Sequence, residues 1–154
     1  FISVHVLGIF EPIMELHPEL FFFTPLIAAM AGNVGVQSSA IIVQGLANNT
    51  IIGPVVERLL KELSLSLLNG VILSVILLAG SYFLLGYEIH VGYTVSIALL
   101  SVIIMASLIG TFIPIILNKY GVDPALATGP FITTSNDILG ILTYFTIAKI
   151  ILGI

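Results

Sequence analysis

The 154-residue chain has no cysteine, which excludes disulfide frameworks, thiolate metal sites and cysteine nucleophiles. Charge is almost as scarce. Only 8% of the residues are Asp, Glu, Lys or Arg, against about 25% in a soluble domain, and so few charges cannot cover the surface of a soluble fold of this size. There is no basic patch, and the net charge of −4 is small and dispersed, so neither nucleic acid nor an anionic substrate is indicated. Hydrophobic residues make up 58% of the chain instead. That composition suits lipid, and it implies one compact membrane domain.

A transmembrane helix needs about 20 consecutive apolar residues. By that measure the sequence predicts a partial first span over 1–10 and four complete spans over 20–47, 65–85, 93–117 and 130–152. The runs are continuously apolar, whereas barrel strands are shorter and alternate apolar with polar residues, so the predicted class is all-α. The first run is half a span and lacks the basic leader and cleavage site of a signal peptide. It reads as a fragment of a longer chain, with no cytosolic regulatory domain in the sequence at hand. Residues 54–63 predict a short amphipathic helix at the interface, since Val55, Leu59 and Leu63 recur at i, i+4 and i+8 opposite the charged cluster.

Lys and Arg near helix ends concentrate on the cytoplasmic side. The connection at 11–19 is acidic, the next contains Arg58 and Lys61, the third contains Glu88 and His90, and the fourth contains Lys119. The N-terminal side of span one is therefore expected in the cytoplasm and the C-terminus outside, with Lys149 as a weak dissent.

Polar groups at bilayer depth carry a desolvation cost and therefore mark function by default. Asp137 lies about two turns into the last span, with no Lys or Arg near it in sequence. The structural alternatives are a helix cap or a buried hydrogen-bonded group, and the cap is disfavoured because Gly129-Pro130 is the better helix start. Gly129, Thr133, Asn136, Asp137 and Gly140 fall at i, i+4, i+7, i+8 and i+11, giving one small, polar face. In span two, Asn33, Gln37 and Gln44 share a face beside Gly32 and Gly35. Amides can bond between helices, but glycines beside them can also expose carbonyls to a water-filled path.

One carboxylate with several neutral oxygen donors points to a hard-cation pathway, because Mg²⁺ and Ca²⁺ take oxygen ligands. Mg²⁺ keeps much of its water and needs only one or two carboxylates, so a symmetric pair of Asp137 residues around a hydrated ion would suffice. This makes a homodimer the expected unit. Soft-ligand transition-metal selection is disfavoured, because the histidines lie in span one or in outer loops.

Two stretches carry a resemblance. Pro25-Leu26 followed by Ala31-Gly32-Asn33-Val34-Gly35-Val36-Gln37 is one, and Asp123-Pro124-Ala125, Gly129-Pro130, Thr133-Thr134, Asp137 and Gly140 form the other. Together they resemble the transmembrane domain of the MgtE family of magnesium transporters and channels. The resemblance implies a five-helix protomer and a homodimer with a central pore in a prokaryotic inner membrane. It also implies a hydrated Mg²⁺ held by Asp137 of both protomers, with Mn²⁺, Co²⁺ or Ca²⁺ as possible alternatives. Spans two and five would line the pore, with Asn33, Gln37, Gly129, Thr133, Thr134, Asn136 and Gly140 as candidate lining residues, and Glu11 would draw cations to the outer mouth. Ala31 departs from the family's glycine pair. A Na⁺- or H⁺-coupled carrier using the same site is the alternative mode of transport. An intramembrane hydrolase would need a second carboxylate at depth, which one chain does not offer, so no enzymatic activity is expected.

Overall fold

The computed structural model describes residues 2–51, 53–127 and 129–153, with backbone only at 2–4 and 127. Phe1, the expected start of the first span, and Thr128 of the second motif lie outside the described residues. The helices are α1 (Ile2–Ile9), α2 (Glu11–Leu16), α3 (Glu19–Ala47), α4 (Val55–Phe83), α5 (Ile89–Lys119) and α6 (Pro130–Leu152), with a single 3-10 turn at Pro124–Ala127. No strand occurs among the described residues. Helices α3 to α6 are each long and apolar enough to cross a membrane, so the protein is an all-α, multi-pass membrane bundle.

Helices α3, α5 and α6 cover the apolar runs at 20–47, 93–117 and 130–152, while the start of the third run and the first connection differ from expectation. Residues 55–69 contain neither Gly nor Pro, so nothing interrupts the helix after Pro54. The expected interfacial segment and the third span are accordingly one continuous helix, α4. Between the first two spans the chain forms the two-turn helix α2 where a loop was expected, with Pro12 in its first turn, a position proline favours.

Helix α5 sits at the centre and packs against α3, α4 and α6. Val95, Ala98, Val102 and Ala106 are fully buried along it at helical spacing. Small residues bring the backbones close, as expected where lipid supplies no hydrophobic drive between helices. Gly110 of α5 lies against the backbone of Gly35 in α3, and a methyl group on Gly110 would overlap the Gly35 carbonyl. Gly140 of α6 similarly faces Ala31, whose Cβ would stand 2.7 Å from an added methyl.

Aromatic and polar contacts close the bundle. Phe10 stacks on Phe145 with centroids 5.2 Å apart, tying the N-terminal segment to α6. The Tyr144 hydroxyl donates to the Leu20 carbonyl at 2.8 Å, a buried bond worth about 1 kcal/mol net.

The buried side of α4 is unusual for its polarity. It consists of Glu62, Ser66, Gly70, Ser74 and Ser81, while Leu65, Leu68, Val71, Ile72, Val75 and Ile76 point outward. In water this arrangement would be inside out. In lipid it puts the apolar side chains toward acyl chains and turns the helix's few polar groups inward, where they can bond.

Candidate functional site: an open polar groove beside Asp137

Helices α3 and α6 meet along their glycine-bearing faces, and the contact places Asp137 against Gly32. A Cβ on Gly32 would stand 2.6 Å from Asp137 Oδ1 and 3.2 Å from Thr133 Cγ2, so glycine makes the space that the carboxylate occupies. Asp137 is only half-buried. Among the described residues its carboxylate has no hydrogen-bond or ion-pair partner, and the only salt bridges there are His17–Glu19 and Lys61–Glu57.

Above this contact lies a groove of about 680 Å³ lined by Asn33, Val36, Gln37, Gly129, Pro130, Thr133 and Thr134. Gly129 starts the groove-facing stretch of α6. It adopts φ +63°, a region open to glycine, so the chain reverses there and Pro130 can open the helix. The Thr133 hydroxyl donates to the Gly129 carbonyl at 3.0 Å, which fixes the first turn. The exposed residues Phe22, Leu26, Ala29, Asn33, Gln37, Ala40 and Gln44 form one continuous stripe on α3, so the groove opens on the flank of the bundle.

The groove thus gathers five of the expected lining residues: Asn33, Gln37, Gly129, Thr133 and Thr134. Two others face elsewhere. Asn136 is 0% exposed, and its amide packs against Gly35 inside the bundle. Gly140 is buried against Ala31 and Val102. The physical reason is the helical step of about 100° per residue: a face wide enough to include both Asn136 and Asp137 spans two environments, the bundle interior and the groove. Glu11 is exposed at the start of α2 and is not among the residues that line the groove.

A second carboxyl group is buried inside the bundle. Glu62 of α4 is 9% exposed, and its Oε1 accepts from Ser38 of α3 at 2.6 Å and from Ser107 of α5 at 2.9 Å. One acceptor atom therefore ties three helices together. The charges within 54–63, Glu62 among them, are expected on the solvated face of an interfacial helix, and the structure turns Glu62 inward instead. The signal that identifies it is the run Glu62, Ser66, Gly70, Ser74 at a strict spacing of four, with large apolar residues between.

Among the described residues no group of three or more His, Asp or Glu could hold a metal. The groove itself is lined by neutral oxygens from Asn33, Gln37 and the two threonines, and Asp137, one helical turn beyond Thr133 and against Gly32, is the carboxylate next to it. Such a set suits a cation that keeps its own water shell.

A family model described as MgtE, divalent cation transporter, matches residues 24–147. The chain is 38% identical over 148 residues to the magnesium transporter MgtE of Bacillus subtilis, covering 96% of this chain and 33% of the relative. It is 32% identical over 152 residues to that of Thermus thermophilus, covering 98% and 33%, and 35% identical over 143 residues to that of Enterococcus faecalis, covering 91% and 31%. The chain spans about a third of the length of these curated relatives. Both motif stretches fall within or at the edge of the matched region, and on this ground the chain belongs to the MgtE family of divalent cation transporters.

Proposed function

We propose that this chain is the permeation unit of a Mg²⁺ transporter, in which two copies meet across the α3–α6 groove and hold a hydrated Mg²⁺ between their Asp137 carboxylates. The observation that carries this reading is Asp137 itself: a carboxylate at bilayer depth, beside an open polar groove, with no partner among the described residues. Such a group costs several kcal/mol unless it meets water, a cation or a partner.

The stripe on α3 supports the dimer. Asn33, Gln37 and Gln44 are exposed on a membrane-length helix, and amides facing acyl chains would lose their hydrogen bonds. A second copy brought against this stripe and the groove would enclose the amides around water and ion. Mg²⁺ then passes with its inner shell of water, and Asn33, Gln37, Thr133 and Thr134 supply hydrogen bonds to that shell. Binding stays weak enough for exit, because no protein oxygen replaces the inner waters. The charge distribution favours the α4 start, with Arg58, Lys61 and Lys119, on the cytoplasmic side.

The test is Mg²⁺ uptake by liposomes containing the purified chain. Asp137→Ala should insert and dimerise normally but carry no Mg²⁺; normal uptake by that variant would remove Asp137 from the pathway. Uptake that requires a Na⁺ or H⁺ gradient would assign a coupled carrier with the same site, and uptake driven by membrane potential alone would assign a channel.

A further inference from the structure

We propose that the pocket where α4 begins and α5 ends binds the phosphate group of an anionic phospholipid. This inference is independent of the reading of Asp137. The pocket has a volume of about 300 Å³, and three of the chain's four Lys and Arg residues line it: Arg58, Lys61 and Lys119. Most of the positive charges in this sequence thus lie at one spot.

Their pairing leaves the pocket positive. Glu57 also lines it and would oppose an anion, but its carboxylate is held by Lys61 at 3.0 Å. Neither Arg58 nor Lys119 has an ion pair among the described residues. Arg58 Nε is moreover buried without a hydrogen-bond partner. A planar guanidinium with unused donors matches phosphate oxygens better than it matches any neighbour in the bundle.

The backbone adds to the same field. The 29-residue helix α4 opens onto the pocket, its cap residue Pro54 makes no side-chain capping bond, and the free N–H groups of a first turn attract anions.

The other wall of the pocket argues for a lipid over a free aqueous anion. Leu46 and Ile115 line it, and the outward residues of the first turns of α4, Val56 and Leu60, are exposed and apolar. The cations thus sit where the apolar surface of the bundle ends, the depth at which lipid phosphates lie. Basic pockets between helices at that level are suited to anionic headgroups.

Native mass spectrometry of the purified chain, released from micelles doped with phosphatidylglycerol or phosphatidylcholine, tests this directly. Phosphatidylglycerol should be retained about tenfold over phosphatidylcholine, the ratio expected for one or two charge-assisted bonds. Lys119→Gln, an exposed position whose change removes no packing, should abolish most of that preference, and Arg58→Gln should do the same. Arg58→Lys should restore part of it by keeping the charge. Lys149→Gln, at the other end of the bundle, should leave it unchanged. Competition by inorganic phosphate separates the sources: loss of bound phosphatidylglycerol assigns a general phosphate site, and its persistence assigns a headgroup seated on the apolar wall. Equal retention of the two lipids, unchanged retention in both Lys119→Gln and Arg58→Gln, or an equal loss in Lys149→Gln would overturn the proposal.

Discussion

Gly32→Ala separates the role of the groove from the stability of the bundle. An added Cβ at position 32 would stand 2.6 Å from Asp137 Oδ1 and 3.2 Å from Thr133 Cγ2. Restoring ordinary contact, about 3.5–4.0 Å between heavy atoms, requires the carboxylate to move by roughly 1 Å. The atoms met are the ends of two side chains, so α3 and α6 need not part, and an overpacking cost near the low end, about 1 kcal/mol, is largely offset by the helix propensity gained in replacing glycine, also about 1 kcal/mol. The cation site is affected far more. A carboxylate shifted by that distance loses alignment with the water shell of the ion, and each charge-assisted hydrogen bond is worth about 1.5–3 kcal/mol. In the proposed dimer two copies of the change act at one ion, so the apparent Mg²⁺ affinity should fall by about 10–100-fold. The assay is Mg²⁺-dependent uptake into liposomes over a range of external Mg²⁺, with thermal unfolding of the same preparation. Gly32→Ala with unchanged Mg²⁺ dependence would refute the placement of Asp137 at the ion. A collapse in stability with unaltered ion affinity would show that Gly32 serves helix packing alone.

Glu62→Ala removes the shared acceptor of Ser38 and Ser107, leaving two buried hydroxyls unpaired at a cost of about 2–4 kcal/mol. Thermal unfolding should register it, and Glu62→Gln, which keeps an acceptor, should cost about half as much or less. Gly110→Ala drives a methyl group into the Gly35 backbone, which cannot rotate away, so it should destabilise by about 1–3 kcal/mol where Gly32→Ala does not. Asn33→Leu replaces a groove amide by an apolar group and should lower Mg²⁺ flux with unfolding unchanged; full flux would take α3 out of the pathway.

The spans were legible because lipid demands a fixed length of apolar chain, and α3, α5 and α6 begin and end within a few residues of the runs that predict them. The start of α4 was not, since Glu57, Arg58, Lys61 and Glu62 look alike as charges in a sequence while only Glu62 turns inward. What separates them is the partner surface, Ser38 and Ser107, which comes from other helices. The groove was legible in outline. Asn33 and Gln37 share a face by spacing alone, and Asp137 stood out by its cost in lipid. Asn136 and Gly140 were grouped with it because helical periodicity defines a direction but not how wide a face a neighbouring helix will cover. Gly35 and Gly110 decide that width here, because they let α5 approach α3 closely enough to enclose the Asn136 side of α6.

The central claim is that one ion is shared by two Asp137 carboxylates. Isothermal titration of Mg²⁺ into the purified chain, with its molar mass measured by light scattering in the same buffer, tests it most directly. The account predicts one Mg²⁺ bound per two chains, lost in Asp137→Asn while the dimer persists. One Mg²⁺ bound per monomeric chain, or undiminished binding by Asp137→Asn, would contradict it.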